Sequence, residues 1–170
     1  MVYILLGVKQ KVTHGITADK KFKWADYKLC GGSSSTLTKY NDNSSYGAVD
    51  TLTTLEQEDD AAYVSDKTCR MPTKADFEEL TANTTSTWET LNGVNGMRFT
   101  STNGNSIFVP AAGYCGKGSV DYGGSYGYLW SSSLYESVSR GAWFLYFYSG
   151  NMFMNNGIRY YGYTVRAVKE

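Results

Sequence analysis

Ala142-Trp-Phe-Leu-Tyr-Phe-Tyr148 is the stretch on which the reading of this chain turns. With a period of two it divides into Trp143, Leu145 and Phe147 on one face and Phe144, Tyr146 and Tyr148 on the other. A strand packed on one side should be apolar inward and polar outward. Here the second row is aromatic too. An exposed row of Phe and Tyr costs solubility and is a sign of a recognition surface. Periodicity alone fits equally well a strand buried on both faces.

Working outward, Ser149-Gly-Asn151 supplies a hairpin turn into a second strand over Met152–Asn155. Tyr126–Trp130 and Tyr163–Val168 read as flanking strands, and Gly96–Thr100 and Ser106–Val109 as a pair around Asn103-Gly104. Asn92-Gly93 and Asn95-Gly96 carry turn chemistry. A helix is predicted from Thr73, with Asp76 as a capping-box partner, Pro72 just ahead, and Phe77 and Leu80 facing the core. Leu55–Val64 reads as a shorter helix whose acidic residues lie early, toward the positive end of its dipole. Gly31–Ser35 and Asn41–Ser45 read as loops, and residues 1–45 show little periodicity.

The 170 residues predict one domain with a single core. Sixteen basic and sixteen acidic side chains cancel, which removes the electrostatic case for nucleic acid or an anionic membrane. No run approaches the roughly 18 apolar residues of a membrane-spanning helix. Met1–Gly7 is too short for a secretory signal with its cleavage site. The three cysteines, Cys30, Cys69 and Cys115, have no metal-ligand spacing, and their number leaves at least one thiol free. A Cys30–Cys69 bridge is neither required nor ruled out. Fifteen Tyr, 18 Gly and only two Pro suit a loop-rich α+β domain, and Tyr, Ser, Gly and Asn are what adaptable binding loops favour.

Catalytic constellations are missing from this pattern. His14 is the one histidine and stands in the least structured region. Gly116-Lys-Gly118 and Gly123-Gly124 are too short for a phosphate cradle. Asp59 and Asp60 are adjacent, so on a helix they do not face one another; a solvated acidic face is the favoured reading, with a calcium site as the lesser one. Arg159 and Arg166 sit among aromatics and glycines and read as internal stacking or pairing arginines rather than a substrate clamp.

An ordered series of motifs resembles one family. Cys69-Arg-Met-Pro-Thr-Lys-Ala-Asp-Phe-Glu-Glu-Leu80 is similar to the R-[LM]-P-T-x-x-E-[WF]-x-E-L segment of the Fibrobacter succinogenes major paralogous domain. Asn92–Thr100, Ser106–Tyr114, Gly127–Ser133 and Ala142–Gly150 continue the match in order, and Arg159, Gly162 and Val165–Val168 close it. The resemblance covers the chain from about Lys23 onward. It implies a formylglycine-generating-enzyme-like domain of C-type-lectin-type fold, with two short helices and a small antiparallel sheet, over residues 23–170. Such domains are common on the cell surface and in secreted proteins of gut Bacteroidetes and their phages, which implies an extracellular, cell-surface or virion-associated place. Residues 1–22 depart from the pattern: Leu6–Thr13 stands where an A-W-G-E-T segment is expected, and the start reads as frameshifted or truncated.

Relatives of this fold serve as variable proteins of diversity-generating retroelements, in which mutated template adenines convert Asn codons. Phe144, Tyr146, Tyr148, Phe153, Gly157, Ile158, Tyr160 and Tyr161 resemble the variable positions, and all eight are reachable from an Asn codon. Trp143, Leu145, Phe147, Met152 and Met154 between them are what a core needs. The implied function is a non-catalytic module, without cofactor or metal, that binds a protein or glycan; Tyr135 and Asn155 join the eight as candidate contacts. Two alternatives stand beside it. One is a structural or adhesin subunit that packs the same face on another chain. The other is an enzyme of the formylglycine-generating group, which needs a cysteine pair where this chain has Cys115 alone.

Overall fold

Asp60 begins the helical part of the chain, because its carboxylate accepts hydrogen bonds from the amides of Ala62 and Tyr63 and so caps α1 (Ala61–Ser65). The computed structural model describes residues 23–116 and 119–169; the atypical start, His14 and part of Gly116–Gly118 lie outside them. The helix expected over Leu55–Val64 is therefore short, and its acidic residues precede it. Asp59 and Asp60 do not share a solvated face, although Glu56 and Glu58 beside them are exposed. Asp60 is buried and takes a third hydrogen bond from the Met71 amide, which ties α1 to the chain that leaves β1 (Cys69–Arg70).

Thr73 caps α2 (Lys74–Asn83) as expected, with a reciprocal capping box to Asp76. Arg70 grips the same carboxylate at 2.6 and 3.2 Å. The Arg70 hydrogen bond, aided by Thr73 and opposed by burial, holds the Asp76 carboxyl down at about 2, against an ordinary 3.8.

Beyond α2 the chain enters β2 (Thr84–Leu91), β3 (Val94–Ser101) and β4 (Ser106–Pro110), an antiparallel sheet in that order. β2 has no counterpart in the sequence reading. It is a threonine-rich edge strand whose main inward anchor is Trp88, so its alternation is too faint to register. Asn92 and Gly93, both at positive φ, form the two-residue turn between β2 and β3, as a primed hairpin requires. The second expected turn, Asn95-Gly96, lies inside β3 instead. Gly96 is needed there because a Cβ would come within 2.3 Å of the Val109 carbonyl and 2.6 Å of the Phe108 ring.

After β5 (Tyr114–Cys115) and β6 (Val120–Asp121), a short antiparallel pair, come β7 (Tyr126–Leu134), β8 (Gly141–Tyr148) and β9 (Asn151–Ile158). They form a second antiparallel sheet with β8 in the middle. The expected strand over Tyr163–Val168 is mostly irregular. It makes one parallel bridge, Leu129 to Thr164, and ends in β10 (Val168–Lys169), which pairs with β1.

The core lies between the two three-stranded sheets, closed by α2. Met97, Phe99 and Val109 from the first meet Leu129, Leu145 and Phe147 from the second, with Phe77 of the helix and Trp88, Met152 and Met154 alongside. Phe147 is completely buried and stands across from Gly127, where any Cβ would lie 2.0 Å from its ring. Trp143 departs from the core reading. It is only half-buried, packed edge-on to Tyr135 at 5.0 Å, capped by the Lys74 ammonium and bonded to Glu136. The chain is thus a loop-rich α+β domain built on small antiparallel sheets. Among the described residues no helix is long and apolar enough to cross a membrane, and Cys30, Cys69 and Cys115 are free thiols.

Phe147→Ala should cost about 3–5 kcal/mol in urea unfolding, whereas Trp143→Ala should cost clearly less, because Trp143 is only half-buried. Gly127→Ala should also destabilise, by displacing Phe147 from its seat. Asp76 has a depressed folded pKa, so its contribution is complete above about pH 4 and is lost as pH falls through about 2. Circular dichroism across that window should show Asp76→Asn flattening the acid limb of the stability curve.

Candidate aromatic binding face

The registers of the second sheet fix which side chains share its outer surface. Tyr126, Tyr128 and Trp130 of β7 lie opposite Tyr148, Tyr146 and Phe144 of β8, which lie opposite Asn151, Phe153 and Asn155 of β9. Nine of the ten contacts predicted from the sequence come from β8, β9 and the segment after them. The three aromatics of β7 were missed, although Tyr126-Gly-Tyr-Leu-Trp130 shows the same period-two alternation.

The face has depth. Trp130, Phe144 and Tyr163 form its floor, with Trp130 stacked on Tyr163 at 4.3 Å and Phe144 edge-on to Tyr163 at 4.7 Å. Phe144 is 4 % exposed, so it supports the face from beneath. Its outward parity is right and its exposure is not: the returning chain at Tyr163 covers it. Above the floor, Tyr126 and Tyr146 lie parallel at 5.7 Å, and Phe153 adjoins Tyr146 at 5.1 Å. Tyr122 adjoins Tyr126 at 5.1 Å from the turn after β6. Phe153 is 42 % and Tyr122 57 % exposed, at opposite ends of the row.

The segment after β9 turns back and runs beside the outer edge of β7. The Trp130 amide donates to the Thr164 carbonyl, the Thr164 amide to that of Tyr128, and the Trp130 indole to that of Tyr161. This return brings Tyr160 and Tyr161 beside the face: Tyr161 stacks on Tyr163 and touches Tyr114, and Tyr160 touches Tyr161 and Trp24. Gly157 also lies on the outer side, but a Cβ there would meet Phe144 and the Tyr163 hydroxyl at 3.1 and 3.0 Å. Two expected contacts are placed elsewhere. Ile158 pairs with Gly141 at the opposite parity, and Tyr135 packs on Trp143 beneath the sheet. Asn155 is on the face, yet its side chain accepts from the Asn156 amide, as Asn151 does from Met152. Both cap outward amides of an edge strand.

The surface is electrically quiet. Burial, reinforced by neighbouring phenols, pushes the Tyr128, Tyr146 and Tyr163 hydroxyls above their ordinary range, so all remain neutral at physiological pH. Arg159 is buried beside the face as an internal clamp, donating to the Tyr40 carbonyl at 3.0 Å and sitting 5.4 Å from the Tyr27 ring. Its Nε and Nη2 are buried without a partner, and burial draws its pKa down. Arg166 lines a separate cavity of about 470 Å³ with Val94, Val109, Pro110 and Val165.

Away from the face, Glu56, Glu58 and Asp59 converge closely enough to hold a metal ion. The Lys39 ammonium already sits among them, 2.6–2.8 Å from each carboxylate, and Tyr40 donates to Asp59. Burial raises the Asp59 pKa, but Lys39, Tyr40 and Lys28 outweigh it and the net shift is downward. A lysine supplies the positive charge here that a calcium ion would supply elsewhere. Millimolar calcium or a chelator should therefore leave the thermal unfolding midpoint unchanged, while Lys39→Met should lower it by leaving three carboxylates facing each other.

A family model described as a domain of unknown function, DUF8237, matches residues 82–168, which contain both three-stranded sheets and the whole return segment. No curated protein and no solved structure matches the chain.

Proposed function

We propose a role for this chain, which belongs to the DUF8237 family: it is a non-catalytic ligand-binding module of C-type-lectin type, related to the Fibrobacter succinogenes major paralogous domain. The outer face of β7–β9 and the adjoining tyrosines are its site. The observation that carries this reading is the division of the β8–β9 hairpin. Leu145, Phe147, Met152 and Met154 pack inward, while Tyr146, Tyr148 and Phe153 stand on the outer face. A hairpin so divided can change its outer row without disturbing its core. Tyr and Phe supply large, stiff contact area at low entropy cost, and Tyr adds hydroxyls.

The outer row is the diversified surface of a retroelement-type variable protein, displayed outside the cell or on a virion. Within it, Tyr146, Tyr148, Phe153, Tyr160 and Tyr161 are the positions free to vary. Phe144 and Gly157 are held back by Tyr163, which crowds both.

Sequencing the locus beside the gene tests this. A reverse transcriptase and an imperfect, adenine-rich copy of these codons are expected, with mismatches at the five free positions and none at the inward row. A locus with neither, or mismatches spread evenly over both rows, would overturn diversification. Tyr146→Ala combined with Tyr148→Ala should leave the unfolding midpoint within a few degrees of the parent and remove ligand capture. A loss of stability as large as that of Phe147→Ala would show that the outer row is structural.

A further inference from the structure

We infer that the ligand of the aromatic face is an uncharged glycan chain that runs diagonally across β7–β9 from Tyr122 to Phe153. The inference rests on the proposed binding role of that face. Its first support is charge. Every residue that the registers place on the outer side of the three strands is uncharged, and for Tyr128 and Tyr146 the electrostatic neighbours are other tyrosines. A row of rings stacks nucleobases as readily as sugars, but a nucleic acid brings a phosphate per unit and needs Lys or Arg to meet it. None stands on this face among the described residues. Protein partners, in turn, are usually steered and kept in register by complementary charges, which the face does not offer.

The second support is geometry. Tyr122, Tyr126, Tyr146 and Phe153 follow one another at 5.1, 5.7 and 5.1 Å between ring centres, steps comparable to the length of one sugar unit. The two outermost rings are the most exposed, and the inner pair lies parallel. A sugar ring has an apolar C–H side that packs on an aromatic ring and equatorial hydroxyls that need neutral donors and acceptors. Tyrosine hydroxyls kept neutral by their surroundings meet that need, and the free amide nitrogens of Asn151 and Asn155 add donors at the strand edge. Tyr122 holds its ring outward at a positive φ of 59°, an uncommon backbone for a bulky residue.

The test is a panel of linear oligosaccharides, with uncharged hexose and N-acetylhexosamine chains beside sulfated and uronic-acid chains, probed with the full chain at low and high salt. Uncharged chains of about four units should bind best, with an affinity that salt does not change. Tyr122→Ala and Phe153→Ala should each weaken binding about tenfold, and Tyr135→Ala, beneath the sheet, should not. Preference for anionic chains, or uncharged binding that survives both substitutions, would overturn the inference. So would silence of the whole panel. The locus result then separates the two failures: a diversified locus with a silent panel leaves a binding face for another ligand class, whereas an undiversified locus with a silent panel removes the reading beneath it.

Discussion

Phe147 seated on Gly127 is the contact on which the rest of the molecule depends. The ring is completely buried at the meeting point of the two sheets, 6.5 Å from Trp88 across the interface. No side chain can replace Gly127 without entering that ring. The seat fixes which face of β8 is inward, and because a strand alternates strictly, it also fixes that Tyr146 and Tyr148 are outward. The aromatic face is thus a geometric consequence of one core contact two residues wide. A one-residue slip would exchange the rows and bury the tyrosines, so core and surface specify each other.

Polar anchoring carries the remainder. Asp60 and Asp76 each close a helix start and also bind a neighbouring element, Met71 in one case and Arg70 in the other. Ser131, Ser132 and Ser133 fill the irregular stretch of β7. The Ser132 carbonyl accepts from the Leu55 amide, the Ser132 amide donates to the Pro72 carbonyl, and the Ser133 hydroxyl accepts from the Lys74 amide at the head of α2. These bonds tie the second sheet to the helical layer beside the apolar cluster of Ala62, Cys69, Met71, Trp130 and Val165. Lys39 does similar work in the loop region, gathering three carboxylates that would otherwise repel one another. Such a loop-rich chain replaces regular secondary structure with side-chain-to-backbone bonds.

The return segment after β9 gives the face its depth. Arg159 anchors its start against the Tyr40 carbonyl, and Thr164 bonds the edge of β7. Between these points Tyr160, Tyr161 and Tyr163 are laid against Trp24, Tyr114 and Trp130, each more than thirty positions earlier. The orphaned donors of Arg159 show that this anchoring comes at an energetic cost. Trp130, Phe144 and Tyr163 form a packed floor beneath the more exposed rings of the face.

The sequence by itself determined the capping box at Thr73, the Asn92-Gly93 turn, the β8–β9 hairpin and the parity of its two rows. Each is a local matter, decided by residues within a few positions of one another. Local pattern was too weak for β2, where one tryptophan carries the inward row, and misleading at Asn95-Gly96, where the glycine serves close packing on β4 rather than a turn. Only the tertiary structure decided exposure. Phe144 has outward parity but is covered by Tyr163, Trp143 has inward parity but stands at the margin, and Asp59 and Asp60 are drawn in by partners distant in sequence. The β7 aromatics join the aromatic face because β7 pairs with β8, and Tyr161 because the chain returns beside it. Parity is fixed by the pleat of a single strand, whereas exposure depends on which distant segment comes to lie on top.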